Sequence, residues 1–340
     1  MFKPRYLALF CALATAPLMA AEGTALLRQP DLSANHLAFV YGGDIWLADK
    51  DGKNPRQLTS HPASEFAPHF SPDGNWIAYS ASYDNNTDVY VMPTAGGAAT
   101  RLTFHPGADT VNGWSPDGKN VIFASNREVA NSRSNQLFSV PVTGGFAEKL
   151  MEAVAFEGEL NTSGNKLAYR PNNMAYSGPS GWRLHRGGST PPVWIIDLEK
   201  QQLEKIPHPN ANEFNPFWLD DTVYFLSDRD NSAVNLFRYR NQQVEQLTQN
   251  KDWDLRSAAG HGSSIVYEAG GFLYQLNVTT GSSSAIVVHI DTMSAQRRPQ
   301  WKDASKTITS TQLSATGQRA LISARGEIFT LPLKEGSSRN

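Results

Sequence analysis

The chain has almost no cysteine. Of its 340 residues only Cys11 carries a thiol, and Cys11 lies in an N-terminal stretch that reads as a leader. Without it a mature chain can form neither a disulfide nor a thiolate metal site. An excess of charge of one sign is also lacking, with 30 Lys and Arg against 32 Asp and Glu. That balance argues against non-specific binding to nucleic acid or to an anionic membrane. No apolar run after the leader reaches the ~20 residues that a bilayer span needs. Catalytic motifs are missing too. There is no G-x-S-x-G elbow, no P-loop and no H-E-x-x-H, and Ser180 in Gly178-Pro179-Ser180-Gly181 does not fit the first. No catalytic, cofactor-binding or metal-ligating residue is assigned.

What is present begins with the leader. Lys3 and Arg5 give a positive start, Tyr6 to Ala16 an apolar stretch, and Leu18-Met19-Ala20 a small-residue cleavage site. The expectation is a signal peptide over 1–20 and a periplasmic or secreted mature chain.

Glycine (26) and proline (20) are plentiful, as many short strands joined by turns require. One pattern then recurs, an aliphatic residue followed by an aromatic inside a strand-like pentamer. The aromatics are Trp46, Tyr90, Phe138, Trp194, Phe237, Tyr274 and Phe329, spaced by 44, 48, 56, 43, 37 and 55 residues. Periods near 40–50 with strand-like content indicate propeller blades. A second strand precedes each pentamer, starting at His36, Asn75, Lys119, Asn165, Thr222, Ser263 and Gln318. Tight turns lead into it, clearest in Ser71-Pro72-Asp73-Gly74 and Ser115-Pro116-Asp117-Gly118, where Pro presets φ and Gly takes the positive φ. Short strands such as Pro68-His69-Phe70 and Pro216-Phe217-Trp218 come before the turn. Outer strands such as Gln57-Leu58-Thr59, Arg101-Leu102-Thr103 and Gln246-Leu247-Thr248 follow the pentamer.

Four strands per unit predict an all-β fold, a six-bladed propeller of four-stranded antiparallel blades over 21–291. Each unit is complete in its own stretch of chain. The ring is therefore expected to close by packing the first blade on the last, without exchanging a strand. The seventh unit lies beyond a polar stretch containing Arg297 and Arg298, and no convincing fourth strand follows it. Residues 292–340 read as a linker and the truncated start of a second propeller.

Candidate binding residues fall in the longer fourth unit. Between its second and third strands, Trp182, His185, Arg186, Gly187 and Gly188 could meet a ligand carboxylate or aromatic group. The competing reading is a loop packed over the propeller face. The pairs His61-Pro62, His105-Pro106 and His208-Pro209 read as repeat punctuation, and Asp228-Arg229-Asp230 as a solvated charged turn. Aromatic and small residues dominate the legible inner strands, which ranks a self-sufficient propeller enzyme last.

These residues resemble the N-terminal part of tricorn-type proteases. Ser-Pro-Asp-Gly repeats also occur in TolB-like propellers. More specific are Trp182, then Arg186-Gly187-Gly188 and Val193-Trp194-Ile195, with His185 where the family often has Tyr. Glu327-Ile328-Phe329-Thr330 resembles the opening of the family's second propeller. The resemblance implies a non-catalytic propeller module of a periplasmic serine peptidase, serving peptides or unfolded protein segments as channel, filter or docking domain. It implies partner domains absent from this chain: a second propeller, a PDZ-like domain and a peptidase domain holding the catalytic serine. The alternative is a stand-alone TolB-like scaffold that grips a protein. No nucleic acid, cofactor or membrane span is implied.

Overall fold

A computed structural model describes residues 23–130, 133–173, 183–188, 190–291 and 303–340. They fall into two compact units, divided after Asp291. The expected leader and Trp182 lie outside the described residues.

The first unit holds six four-stranded antiparallel sheets, each built from four consecutive strands. In blade 1 these are Arg28–Leu32, His36–Tyr41, Asp44–Asp49 and Arg56–Gln57. Blades 2 to 6 cover 65–101, 109–149, 157–205, 213–246 and 255–286. The inner strands neighbour one another in order, and the last neighbours the first. A six-bladed ring results, as the repeat predicts.

Both faces of a blade must be buried, so the second strands read as continuous apolar runs whose alternate residues serve different seams. Leu37 and Phe39 pack with Val266, Leu273, Ile286 and Val288 of blade 6. Ala38 and Val40 pack with Phe70, Ile77 and Tyr79 of blade 2. Each of the six seams carries such a core. Fully burying one large apolar side chain contributes about 1.5–3 kcal/mol.

No strand is exchanged at the closure, but packing is not the whole of it. Thr24 N–H donates to Val288 O (2.8 Å) and Leu27 N–H to Gly271 O (3.0 Å). Ile290 N–H donates to Thr24 Oγ1 (2.9 Å). The segment ahead of the first strand thus clasps blade 6 by main-chain bonds that the sequence reading did not anticipate.

The outer-strand threonines have a local role. Thr59, Thr103 and Thr248 each accept, through Oγ1, the main-chain N–H of Ile45, Val89 and Leu236 at 2.8, 3.0 and 2.9 Å. They stop the outer strand against the start of the third. The His-Pro pairs punctuate as expected. The rings of His61 and His105 accept the N–H two residues on, at 3.0 and 2.9 Å.

A ring of hydrogen bonds runs round the axis between blades. Ala67 N–H donates to Gln29 Oε1 (2.9 Å), Val111 N–H to Ser80 Oγ (2.8 Å) and Gly158 N–H to Asn112 Oδ1 (3.1 Å). Asn215 N–H donates to Glu157 Oε2 (2.7 Å), Ala258 N–H to Asn215 Oδ1 (2.7 Å) and Gln29 N–H to Glu268 Oε2 (3.0 Å). Each bond joins one blade to its neighbour, and the sixth closes the circle. Three of the six donors, Gln29, Ala67 and Asn215, sit in a repeated bulge, whereas Gly158 donates from a regular strand. Gln29-Pro30, Ala67-Pro68 and Asn215-Pro216 each interrupt the ladder opposite Phe39, Tyr79 and Phe225. Gln29, Ala67 and Asn215 have φ of 47°, 51° and 51°. A bulge turns one N–H out of its own ladder, and the following Pro has none to lose.

The second unit is an antiparallel sheet of Ile308–Leu313, Arg319–Ala324 and Glu327–Pro332. Beyond the third strand an isolated bridge forms, Thr330 and Arg339 exchanging main-chain bonds of 2.8 and 3.0 Å.

Glu268 is buried and accepts both Gln29 N–H and the Ser257 hydroxyl. Glu268→Ala removes the closing bond and strands two donors. The expected loss is about 2–3 kcal/mol of unfolding free energy by denaturant titration; an unchanged midpoint would contradict a closure role.

Candidate functional site

The inner strands wall an axial channel. On the side where these strands begin lies a cavity of about 540 Å³, lined among others by Gln29, Thr110, Asn112, Glu157, Arg170 and Arg256. On the side where they end lies one of about 360 Å³, lined by turn residues such as Ser71, Pro116, Thr162 and Asp220. The two share Asp31, His69, Glu159 and Gly260, which form the waist.

The waist corrects the expectation of aromatic and small inner residues. Asp31 Oδ2 accepts Phe70 N–H at 2.6 Å, and Glu159 Oε1 accepts Trp218 N–H at 3.1 Å. Trp218 Nε1 donates back to Glu159 O at 3.0 Å, and Trp114 Nε1 to His69 O at 2.9 Å. Burial pushes the Glu159 carboxyl up to about 8, with the Trp218 N–H pulling against it and the Asp31 charge adding to it. Burial likewise raises Asp31, opposed by His69, and lowers His69, opposed by Asp31. Among the described residues no three His, Asp or Glu converge as metal ligands would. The waist thus gathers two carboxyls and an imidazole whose burial favours their uncharged forms.

The larger cavity is lined by both acidic and basic groups. Arg170 Nη2 donates to Glu157 Oε1 at 3.0 Å, register partners on adjacent strands of blade 4. Asn112, Asn135, Asn173 and Asn215 add amides. Sequence reasoning missed these residues because inner strands look irregular. The signal was the Xaa-Pro pair inside a strand, which betrays a bulge.

The blade-4 loop lies on the same side, where second strands end. Arg186 is engaged within the protein. Its guanidinium donates to the Asp228 carboxylate (3.0 Å), to Asp228 O (2.8 Å) and to Asn231 Oδ1 (3.0 Å). Asn212 Nδ2 bridges His185 O (3.1 Å) and Asp228 Oδ2 (2.8 Å). Gly187 O accepts the Thr190 hydroxyl at 2.8 Å, and a Cβ on Gly187 would sit 3.0 Å from the His185 ring. A Cβ on Gly188 would meet open space. Arg183 clamps the Asp254 carboxylate at 2.8 and 2.9 Å. The loop is thus tied to blade 5 and to the link after it.

Asp228-Arg229-Asp230 is the solvated turn the sequence suggested only at Asp230, which is exposed. Asp228 is buried under Arg186 and Asn212, and Arg229 pairs with buried Glu213. The Arg229 guanidinium also lies over the rings of Phe225 and Phe237, at 5.1 and 5.3 Å.

Arg186→Met should cost about 2 kcal/mol, because Asp228 keeps its burial and loses its cation. Limited proteolysis should then cut faster within 171–192, with cleavage elsewhere unchanged. An unaltered cleavage rate would separate Arg186 from loop anchoring.

A family model described as the tricorn protease N-terminal β-propeller domain matches residues 24–282. Tricorn protease homolog 1 of Streptomyces coelicolor is 26% identical over 265 residues, covering 76% of this chain and 24% of that protein. The tricorn protease homolog of Saccharolobus solfataricus is 22% identical over 319 residues, covering 91% and 29%. The chain thus spans about a quarter of the length of these curated relatives. In fold it is similar to the crystal structure of the tricorn protease, with a TM-score of 0.73 at 21% identity over 92% of this chain and 31% of that one. It is also similar to the propeller domain of the Trilobed protease from Pyrococcus furiosus, described as an open velcro topology. That TM-score is 0.54 at 12% identity, over 82% and 99% of the two chains. By the extent of the family match, the chain belongs to the tricorn protease N-terminal β-propeller family.

Proposed function

We propose that the chain is the non-catalytic propeller module of a periplasmic tricorn-like serine peptidase, and that its axial channel admits, filters or docks peptides. The observation that carries this reading is the channel wall. Amides, guanidinium groups and carboxyls line two cavities that share one waist. Such groups hydrogen-bond an extended backbone without demanding a particular side chain. The peptidase chemistry is assigned to domains outside these residues, in keeping with the share of the relatives that the chain covers. On the same reading, 303–340 opens a second propeller. Its sheet exposes Leu313, Ile328 and Leu333, which a further blade would cover.

The test uses the chain itself and fluorescently labelled unfolded peptides. Binding is expected without hydrolysis, and active-site-directed serine probes should leave the chain unlabelled. Thr110→Trp places an indole in the wider cavity and should weaken binding at least tenfold while the fold persists. Hydrolysis by the isolated chain, or binding indifferent to Thr110→Trp, would refute the proposal.

The periplasmic assignment is supported by the charged, apolar and small-residue order of 1–20. A mature protein beginning at Ala21 and released with periplasmic contents is the expected result; a cytosolic chain retaining Met1 would refute it.

A further inference from the structure

Three inner strands begin with a buried carboxylate residue whose main-chain N–H bonds to the preceding blade: Glu65 to Gly43 O (2.7 Å), Asp109 to Thr87 O (2.8 Å) and Glu213 to Pro191 O (2.9 Å). Two of them are met by a guanidinium. Arg127 Nη2 reaches Asp109 Oδ2 at 2.6 Å, and Arg229 reaches Glu213. Arg127 and Arg229 stand two residues beyond their second strands. At that same position blade 2 has Tyr83. Glu65 is buried, and among the described residues no cation forms an ion pair with it. Its Oε1 accepts the Tyr83 hydroxyl at 2.8 Å, and its Oε2 accepts the Thr59 hydroxyl at 3.0 Å.

A second carboxyl adjoins it: Asp44 follows Gly43, whose O accepts Glu65 N–H at 2.7 Å, and the two carboxyls lie within hydrogen-bonding reach of each other. Asp44, also buried, accepts Gln57 Nε2 at 3.0 Å through Oδ2, and the His61 main chain bears on its carboxyl, while its Oδ1 has no donor of good geometry. The other titratable groups packed here are His61, its ring tilted against that of Tyr83 at 4.3 Å, and the phenols of Tyr79 and Tyr90. Two carboxylates in one buried seam repel, and a buried acceptor without a donor is costly. One proton answers both difficulties.

We propose that the seam between blades 1 and 2 is held by a proton shared between Glu65 and Asp44, and that this seam is a pH-sensitive joint where the equivalent seams ahead of blades 3 and 5 carry a guanidinium. A proton on Glu65 supplies the donor that Asp44 Oδ1 lacks. Arg127 of blade 3 and Arg229 of blade 5 do the equivalent work with a permanent charge.

The direction of the pH dependence follows. Burial pushes the Glu65 carboxyl up to about 7, against hydrogen bonds from Tyr83 and Thr59 and with the charge of Asp44 adding to the rise. Burial raises Asp44 as well. An unfolded glutamate titrates near ~4.3. Between these values the folded seam keeps a proton that the unfolded chain has released. Its stabilisation is therefore full at low pH and is lost as pH rises through about 7.

Thermal unfolding of the whole chain from pH 5 to pH 8.5 reads this proton. Glu65→Gln carries an amide donor at every pH, so its melting temperature should fall less across the range than that of the wild type. Tyr83→Arg supplies the missing cation. It should also flatten the profile and raise the melting temperature at pH 8.5 by about 2–4 °C. The raised carboxyls of Glu159 and Glu213 titrate in all three proteins and cancel in the comparison. Profiles parallel to the wild type in both variants overturn the proposal. Should Glu65→Gln fail to fold, Tyr83→Arg alone decides it, because it leaves both carboxyls in place.

Discussion

Six blades can surround an axis only if each inner strand, an edge by construction, finds partners beyond its own sheet. The circle of bonds from Gln29, Ser80, Asn112, Glu157, Asn215 and Glu268 to the neighbouring main chain meets that constraint. Bulges serve three of the six bonds, where positive φ at Gln29, Ala67 and Asn215 turns one N–H toward the next blade. Blade 4 needs none, since Gly158 donates from a regular strand. Of the residues that tie the ring, Gln29, Asn112, Glu157 and Asn215 also line the axial cavity.

Electrostatics is arranged in the same circular order. Buried carboxylates begin the inner strands of blades 2, 3 and 5. Two of these seams use arginine, and Arg127 and Arg229 each lie over two aromatic rings. Tyr83 makes the third chemically different. The blade-4 loop extends this logic outward, since Arg186 neutralises the buried Asp228 and fastens the insertion to blade 5.

Much of the fold was legible. The second strands expected at His36, Asn75, Lys119, Asn165, Thr222, Ser263 and Gln318 begin within one residue of those positions. Apolar residues on both faces of a strand mark it whatever its partner, and Pro-Asp-Gly turns state their own geometry. The site was legible only in part. The sequence marked Arg186 by composition, but whether a guanidinium meets a ligand or its own protein's Asp228 depends on a residue 42 positions away. Asp228 read as solvated because charged residues in a short loop usually are, yet an insertion from another blade covers it.

By itself, then, the sequence determined the blade count, the strand order within each blade and the absence of strand exchange, because these follow from local periodicity and turn chemistry. Only the tertiary structure decided the closing circle, the carboxyl-lined waist and the unequal seams. Those depend on which side chains converge from different blades, and residues as far apart as Gln29 and Glu268 become neighbours only when the ring shuts.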